Sequence, residues 1–142
     1  MTAYDKMKWH SDAEDFPQQL PTNQGAVHIA FFYRWMLEHQ LANTTIIEED
    51  DPELYEQLMQ GQITALDFFI EFYDGVLLDE DLTEEGAAFA STYYDGYLTD
   101  YENLPLQLFD GNDSMYAAIY NEENYVLVAR LLEGKFKVEN RI

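Results

Sequence analysis

Cysteine is absent from the 142 residues. That excludes disulfides, thiolate catalysis and cysteine-based zinc sites, and it suits a reducing compartment. Lysine and arginine are scarce, 7 in all, and none stands between Arg34 and Arg130. That span carries 22 Asp and Glu, a formal charge of −22 that exceeds the net −21 of the whole chain. So negative a field repels nucleic acid and acidic membranes and attracts cations and basic proteins. Serine is limited to Ser11, Ser91 and Ser114, none in a nucleophile-elbow setting. No glycine-rich loop follows a strand pattern, so no phosphate cradle is indicated. Long apolar runs are missing too. The N-terminal segment MTAYDKMKWHSD has no apolar h-region of a secretory signal. No stretch approaches the roughly 20 apolar residues of a membrane helix. The expectation is a soluble, cytoplasmic protein.

What is present argues for a folded core. Hydrophobic residues make up 47% of the chain, with 11 Tyr, 9 Phe and 2 Trp, whereas disordered acidic chains are poor in aromatics. The length fits one domain, 1–142. Residues 1–23 read as an irregular arm, because Pro17 and Pro21 interrupt it, with Trp9, Phe16 and Leu20 as apolar anchors. Thr22 or Asn23 then caps a helix to about Leu41. On it Ile29, Phe32, Tyr33, Met36 and Leu37 form one stripe and Val27, Phe31 and Trp35 a second. A helix apolar over most of its girth is usually central.

Asp51 and Pro52 open a second helix that Gly61 ends. Thr64 opens a third, stopped by Gly75. Asp81 and Glu84 have capping-box spacing for a fourth, and Asn121 caps a fifth, ending near Gly134. The segment 104–120 is ambiguous: it contains Leu104-Pro105-Leu106 and the turn cluster Asp110-Gly111-Asn112-Asp113-Ser114. The expected fold is mainly α, one compact domain of about five helices, with a minor β-hairpin near 104–120.

Two acidic runs stand out, Glu48-Glu49-Asp50-Asp51-Pro52-Glu53 and Asp79-Glu80-Asp81 with Glu84-Glu85. Both fall at expected helix N-termini, where each carboxylate contributes roughly 0.3–1 kcal/mol against the helix dipole. That accounts for one or two acids per helix. It does not account for the missing Lys and Arg near Gln60, Tyr73 and Asn103, where the dipole favours them. Tyr93, Tyr97 and Tyr101 form a stripe at four-residue spacing. Tyr93 reads as core, while Tyr94 and Tyr101, flanked by Asp95, Asp100 and Glu102, read as candidates to grip Arg and Lys.

A calcium loop of the EF-hand type is excluded. From Asp110, Met115 stands where Gly is needed and Asn121 where Glu is needed; from Asp79, Glu84 and Ala90 stand there. His28 and His39 are about 16 Å apart along one helix and cannot share a metal. A metal site would have to draw on His10 from the arm, His28 and carboxylates. The ordinary alternative is a core His28 bonded to backbone in the arm. His10-Ser11-Asp12 cannot form a triad, because adjacent residues cannot adopt that geometry. With so few cations to stabilise developing negative charge, an enzyme is not indicated, and no cofactor is implied.

The pattern Trp9-His10, Phe16-Pro17, Leu20-Pro21, His28-Ile29, Phe32 and Trp35 resembles a family of small acidic bacterial proteins of unknown function. Glu85-Gly86, Phe89-Ala90, Tyr93-Tyr94 and Asp100-Tyr101 resemble its second block. The resemblance carries no catalytic residues. By analogy of class, it implies an immunity protein for a toxin.

The reading is therefore a protein-binding module that occludes a basic partner such as a toxin, as an immunity or antitoxin factor would. Glu48, Glu49, Asp50, Glu53, Asp79, Glu80, Glu84, Tyr94 and Tyr101 are the expected contacts. The alternatives are a metal-binding protein or metal-dependent enzyme using His10 and His28, and a DNA mimic that occupies a DNA-binding protein. Partners among nucleic acids and membranes are not expected.

Overall fold

The structure is a computed structural model that describes residues 2–110 and 112–139. It is mainly helical, with one small antiparallel sheet. Strand β1 (Ala3–Lys6) runs straight into helix α1 (Met7–Ser11). A 3₁₀ turn at Thr22–Ala26 leads into α2 (Val27–Glu38), and α3 (Thr45–Asp50), α4 (Pro52–Met59) and α5 (Ala65–Tyr73) follow. After β2 (Val76–Leu78) and a 3₁₀ turn at Asp79–Asp81 come α6 (Glu84–Glu102) and α7 (Glu122–Glu139).

Helix α2 is the centre of the molecule. Val27 to Tyr33, Trp35 and Met36 are all buried, as the two apolar stripes predict. It packs against α5, α7 and the 3₁₀ turn before it. Phe32 meets Phe89, Tyr94 and Tyr97 of α6, and Phe31 stacks on Tyr120. Most of the aromatic content is thus spent around one helix, where large rings bury area and fix one another's orientation.

Local signals set several boundaries as expected. Asp51 accepts from the Leu54 N–H at 3.1 Å with Pro52 behind it. Thr64 accepts from Asp67 N–H, and Asn121 from Asn124 N–H. Helix α5 ends in left-handed backbone at Asp74 and Gly75, with φ of 55° and 74°. Glycine takes the second of these at little steric cost.

Other expectations fail. The arm is not irregular at its start, because β1 pairs with β2, with Asp5 opposite Leu77 and Lys6 opposite Val76. That pair is the sheet. Among the described residues of 104–120 there is only an isolated bridge, Leu108 to Ala118, and a 3₁₀ turn at Met115–Ala117. Gly111 of the expected turn lies outside the described residues. Thr83, not Asp81, caps α6, accepting from the Gly86 N–H. Asp81 instead accepts from the Leu78 N–H at 2.9 Å. The first helix stops at Glu38, short of Leu41. The last continues through Gly134 to Glu139.

Candidate functional site

Two regions carry chemistry: an acidic outer face and a buried Asp–His–His centre. On the face, Glu48, Glu49, Asp50, Glu53, Glu80 and Glu84 are exposed and Asp79 is half-buried. Glu48, Glu49 and Asp50 belong to the short helix α3 that precedes α4, so they are not N-terminal to α4 alone. Asn43, just before α3, bonds to the second run. Its N–H donates to the Asp81 carbonyl at 2.9 Å and its side-chain amide to the Glu80 carbonyl at 3.3 Å. A bridge between Ala42 and Leu82, with Thr83 N–H donating to the Leu41 carbonyl, completes the seam. It brings the Glu80 turn beside the start of α3.

Among the described residues, Lys and Arg ion pairs join Arg34 to Glu38 and Glu122, and Lys135 to Asp100. None reaches either acidic run. One consequence falls on Asp81: its burial, then the charges of Glu80 and Asp79, push its pKa up to about 6 despite the Leu78 N–H.

Tyr94 and Tyr101 do not join this face. They are 3% and 1% exposed, within the core. The reason is the packing of α6, whose inner side spans Tyr93, Tyr94, Tyr97 and Tyr101 rather than one narrow stripe. Acidic neighbours in sequence therefore do not make an exposed grip of them.

The buried centre begins at β1. Asp5 lies opposite Leu77, and both are buried on the inward side of the two-stranded sheet. A register irregularity between Ala3 and Asp5 accompanies the inward turn, as bulges commonly re-aim a side chain. Helix α1 brings His10, and α2 brings His28. His10 Nε2 is 2.6 Å from Asp5 Oδ1, and His28 Nε2 is 3.0 Å from Asp5 Oδ2. The two Nε2 atoms are 3.2 Å apart, with the rings edge to face.

An outer ring of contacts orients these three. Tyr94 Oη donates to Asp5 Oδ2 at 2.7 Å, and the Lys6 N–H donates to Oδ1 at 2.8 Å. Tyr116 Oη lies 2.7 Å from His10 Nδ1, and Tyr97 Oη donates to the His28 carbonyl at 2.6 Å. Gln24 holds the Tyr116 and Ala118 carbonyls. Burial works to raise the pKa of Asp5, but the hydrogen bonds and positive field of the imidazoles overcome it and hold the carboxyl well below its usual range. Burial lowers the pKa of His28, against the pull of Asp5.

His28 is thus a core histidine, but its ring partner is a side chain of the arm rather than backbone. His10 and His28, expected to need each other for any metal site, do meet. No sequence signal singles out Asp5. It stands 5 residues before His10 and 23 before His28, which matches no local ligand pattern. Only the pairing of β1 with β2 turns it inward.

Residues 3–118 match a family described as a domain of unknown function, DUF7832. The chain belongs to that family. No curated protein and no solved structure matches it.

Proposed function

We propose that the protein is an acidic binding module that covers a basic protein, in the manner of an immunity factor over the cationic site of a toxin. The supporting observation is the seam at Asn43, which ties the Glu80 turn to the segment leading into α3, with no lysine or arginine paired to either acidic run among the described residues. Unneutralised carboxylates on one face raise the encounter rate with a cationic partner and reject acidic ones. Glu48, Glu49, Asp50, Glu53, Glu80 and Glu84 are the steering groups, with Asp79 at their margin. Leu82, Thr83 and Ala87 join Asp79, Glu80 and Glu84 around a shallow hollow of about 440 Å³, a seat for a lysine or arginine side chain.

The test is affinity capture on the immobilised protein, at low and at raised salt, beside a Glu48→Lys/Glu80→Lys variant. Basic proteins should be retained by the native protein, released by salt and lost with the variant, because exposed charges are screened beyond about 10 Å at 0.1 M salt. Retention of neutral or acidic proteins only, indifferent to salt and to charge reversal, overturns the reading.

A further inference from the structure

We propose that Asp5, His10 and His28 form a binding site for one divalent transition-metal ion, with zinc as the best match. The inference stands apart from the acidic face and rests on the buried centre alone. One carboxylate oxygen and two imidazole nitrogens, one per residue, lie within 4.8 Å of one another. Around a tetrahedral ion with bonds of about 2.0–2.1 Å, neighbouring ligand atoms sit roughly 3.4 Å apart. The 3.2 Å between the two Nε2 atoms needs only a small expansion. The nitrogens face different oxygens of Asp5, His10 at 2.6 Å from Oδ1 and His28 at 3.0 Å from Oδ2, so the carboxylate binds through both oxygens or turns to present one.

Each Nε2 carries at most one proton. Without a metal, both Nε2–H groups donate side by side to the two Asp5 oxygens, their nitrogens 3.2 Å apart. A cation among these atoms replaces both protons, since the carboxylate and the two imidazoles then all present lone pairs to it.

The surroundings fit as well. With Nε2 on the ion, His10 Nδ1–H donates to Tyr116 Oη, while Tyr94 Oη and the Lys6 N–H fix the carboxylate. Such outer contacts orient metal ligands, and an acceptor on Nδ1–H raises the basicity of the imidazole. Two imidazoles and one carboxylate favour zinc, nickel, copper or iron over magnesium and calcium, which take oxygen donors. His10, with 14% of its side chain exposed, marks the route by which an ion arrives.

The experiment uses full-length protein stripped with chelator and desalted, titrated calorimetrically with Zn²⁺ in excess Mg²⁺ to occupy the surface carboxylates. The expected result is one tight equivalent per chain and a raised melting temperature. Tyr116→Phe should weaken binding roughly 10–100-fold, and His10→Ala by more. His10 is the least buried ligand, and a circular dichroism spectrum confirms that its variant folds. Co²⁺ provides a second reading, through visible bands that report nitrogen coordination and vanish in His10→Ala. No tight equivalent, or one that His10→Ala leaves unchanged, shows an adventitious surface ion only and overturns the site.

Discussion

Asp5 and His28 meet at 3.0 Å inside the protein, one from the first strand and the other from the central helix. The contact fastens the start of the chain to its core. Asp5 accepts from His10, His28, Tyr94 and the Lys6 N–H, which uses the whole acceptor capacity of a carboxylate. Asp5→Ala leaves several buried donors without a partner, each costing about 1–3 kcal/mol. The loss should be at least about 3 kcal/mol, seen as a lower urea midpoint with an unchanged slope. A variant as stable as the native protein would show that the centre does not hold the arm.

The tyrosines of α6 offer a controlled contrast. Tyr94 donates to an ionised carboxylate, whereas Tyr101 Oη is buried with no hydrogen-bond partner among the described residues. Both side chains lie in the core, so Phe preserves the packing of each. Tyr94→Phe should cost about 1.5–3 kcal/mol, the range for a hydrogen bond to a charged group. Tyr101→Phe should be neutral or stabilising, since it removes a hydroxyl that burial penalises. Thermal melts of the two variants decide this, and equal losses would contradict it.

Much of the helical framework is legible because helix ends are local. Asp51-Pro52, Thr64, Gly75 and Asn121 each act within a turn of their own position. The fourth helix misled because Thr83, two residues beyond Asp81 and directly before the helix, caps it with its own hydroxyl. Strand β1 has no local signature, since its four residues become a strand only beside β2. The site follows the same division. His10 and His28 are visible as rare residue types, while Asp5 is one acid among 28 until the sheet turns it inward. The acidic charge is legible outright, but which tyrosines share its face depends on how α6 packs.

Two glycines should respond oppositely to alanine. A Cβ on Gly25 would lie 2.9 Å from the Met7 carbonyl oxygen and 3.3 Å from the Ser11 nitrogen. It would push α1 off the turn before α2, and with it His10. Overpacking of this kind costs about 1–3 kcal/mol. Gly134 sits inside α7, exposed, with nothing within 4 Å of a Cβ, so Gly134→Ala should stabilise by about 0.5–1 kcal/mol. Denaturation curves give the two signs. Hydrogen exchange should show α1 loosened only by Gly25→Ala.

Asp81 gives the pH dependence. Burial, with Glu80 and Asp79 close by, raises its pKa from 3.8 to about 6 in the folded protein. The native state therefore binds this proton more tightly than the unfolded chain. Below about pH 4 both states are protonated and the group costs nothing; between 4 and 6 stability falls as pH rises, and above 6 the full penalty is present. A shift of this size corresponds to a penalty on the order of 1–3 kcal/mol. Asp81→Asn removes the charge and keeps an oxygen for the Leu78 N–H, so it should stabilise the protein at pH 8 and lose that advantage at pH 4. Urea midpoints of both proteins at the two pH values measure the gap. A gap that does not narrow on acidification would assign the strain at this turn to something other than Asp81. A cation seated against Glu80 should stabilise the ionised carboxylate in turn, so a basic partner that releases a proton on binding near pH 6 would join this titration to the acidic face.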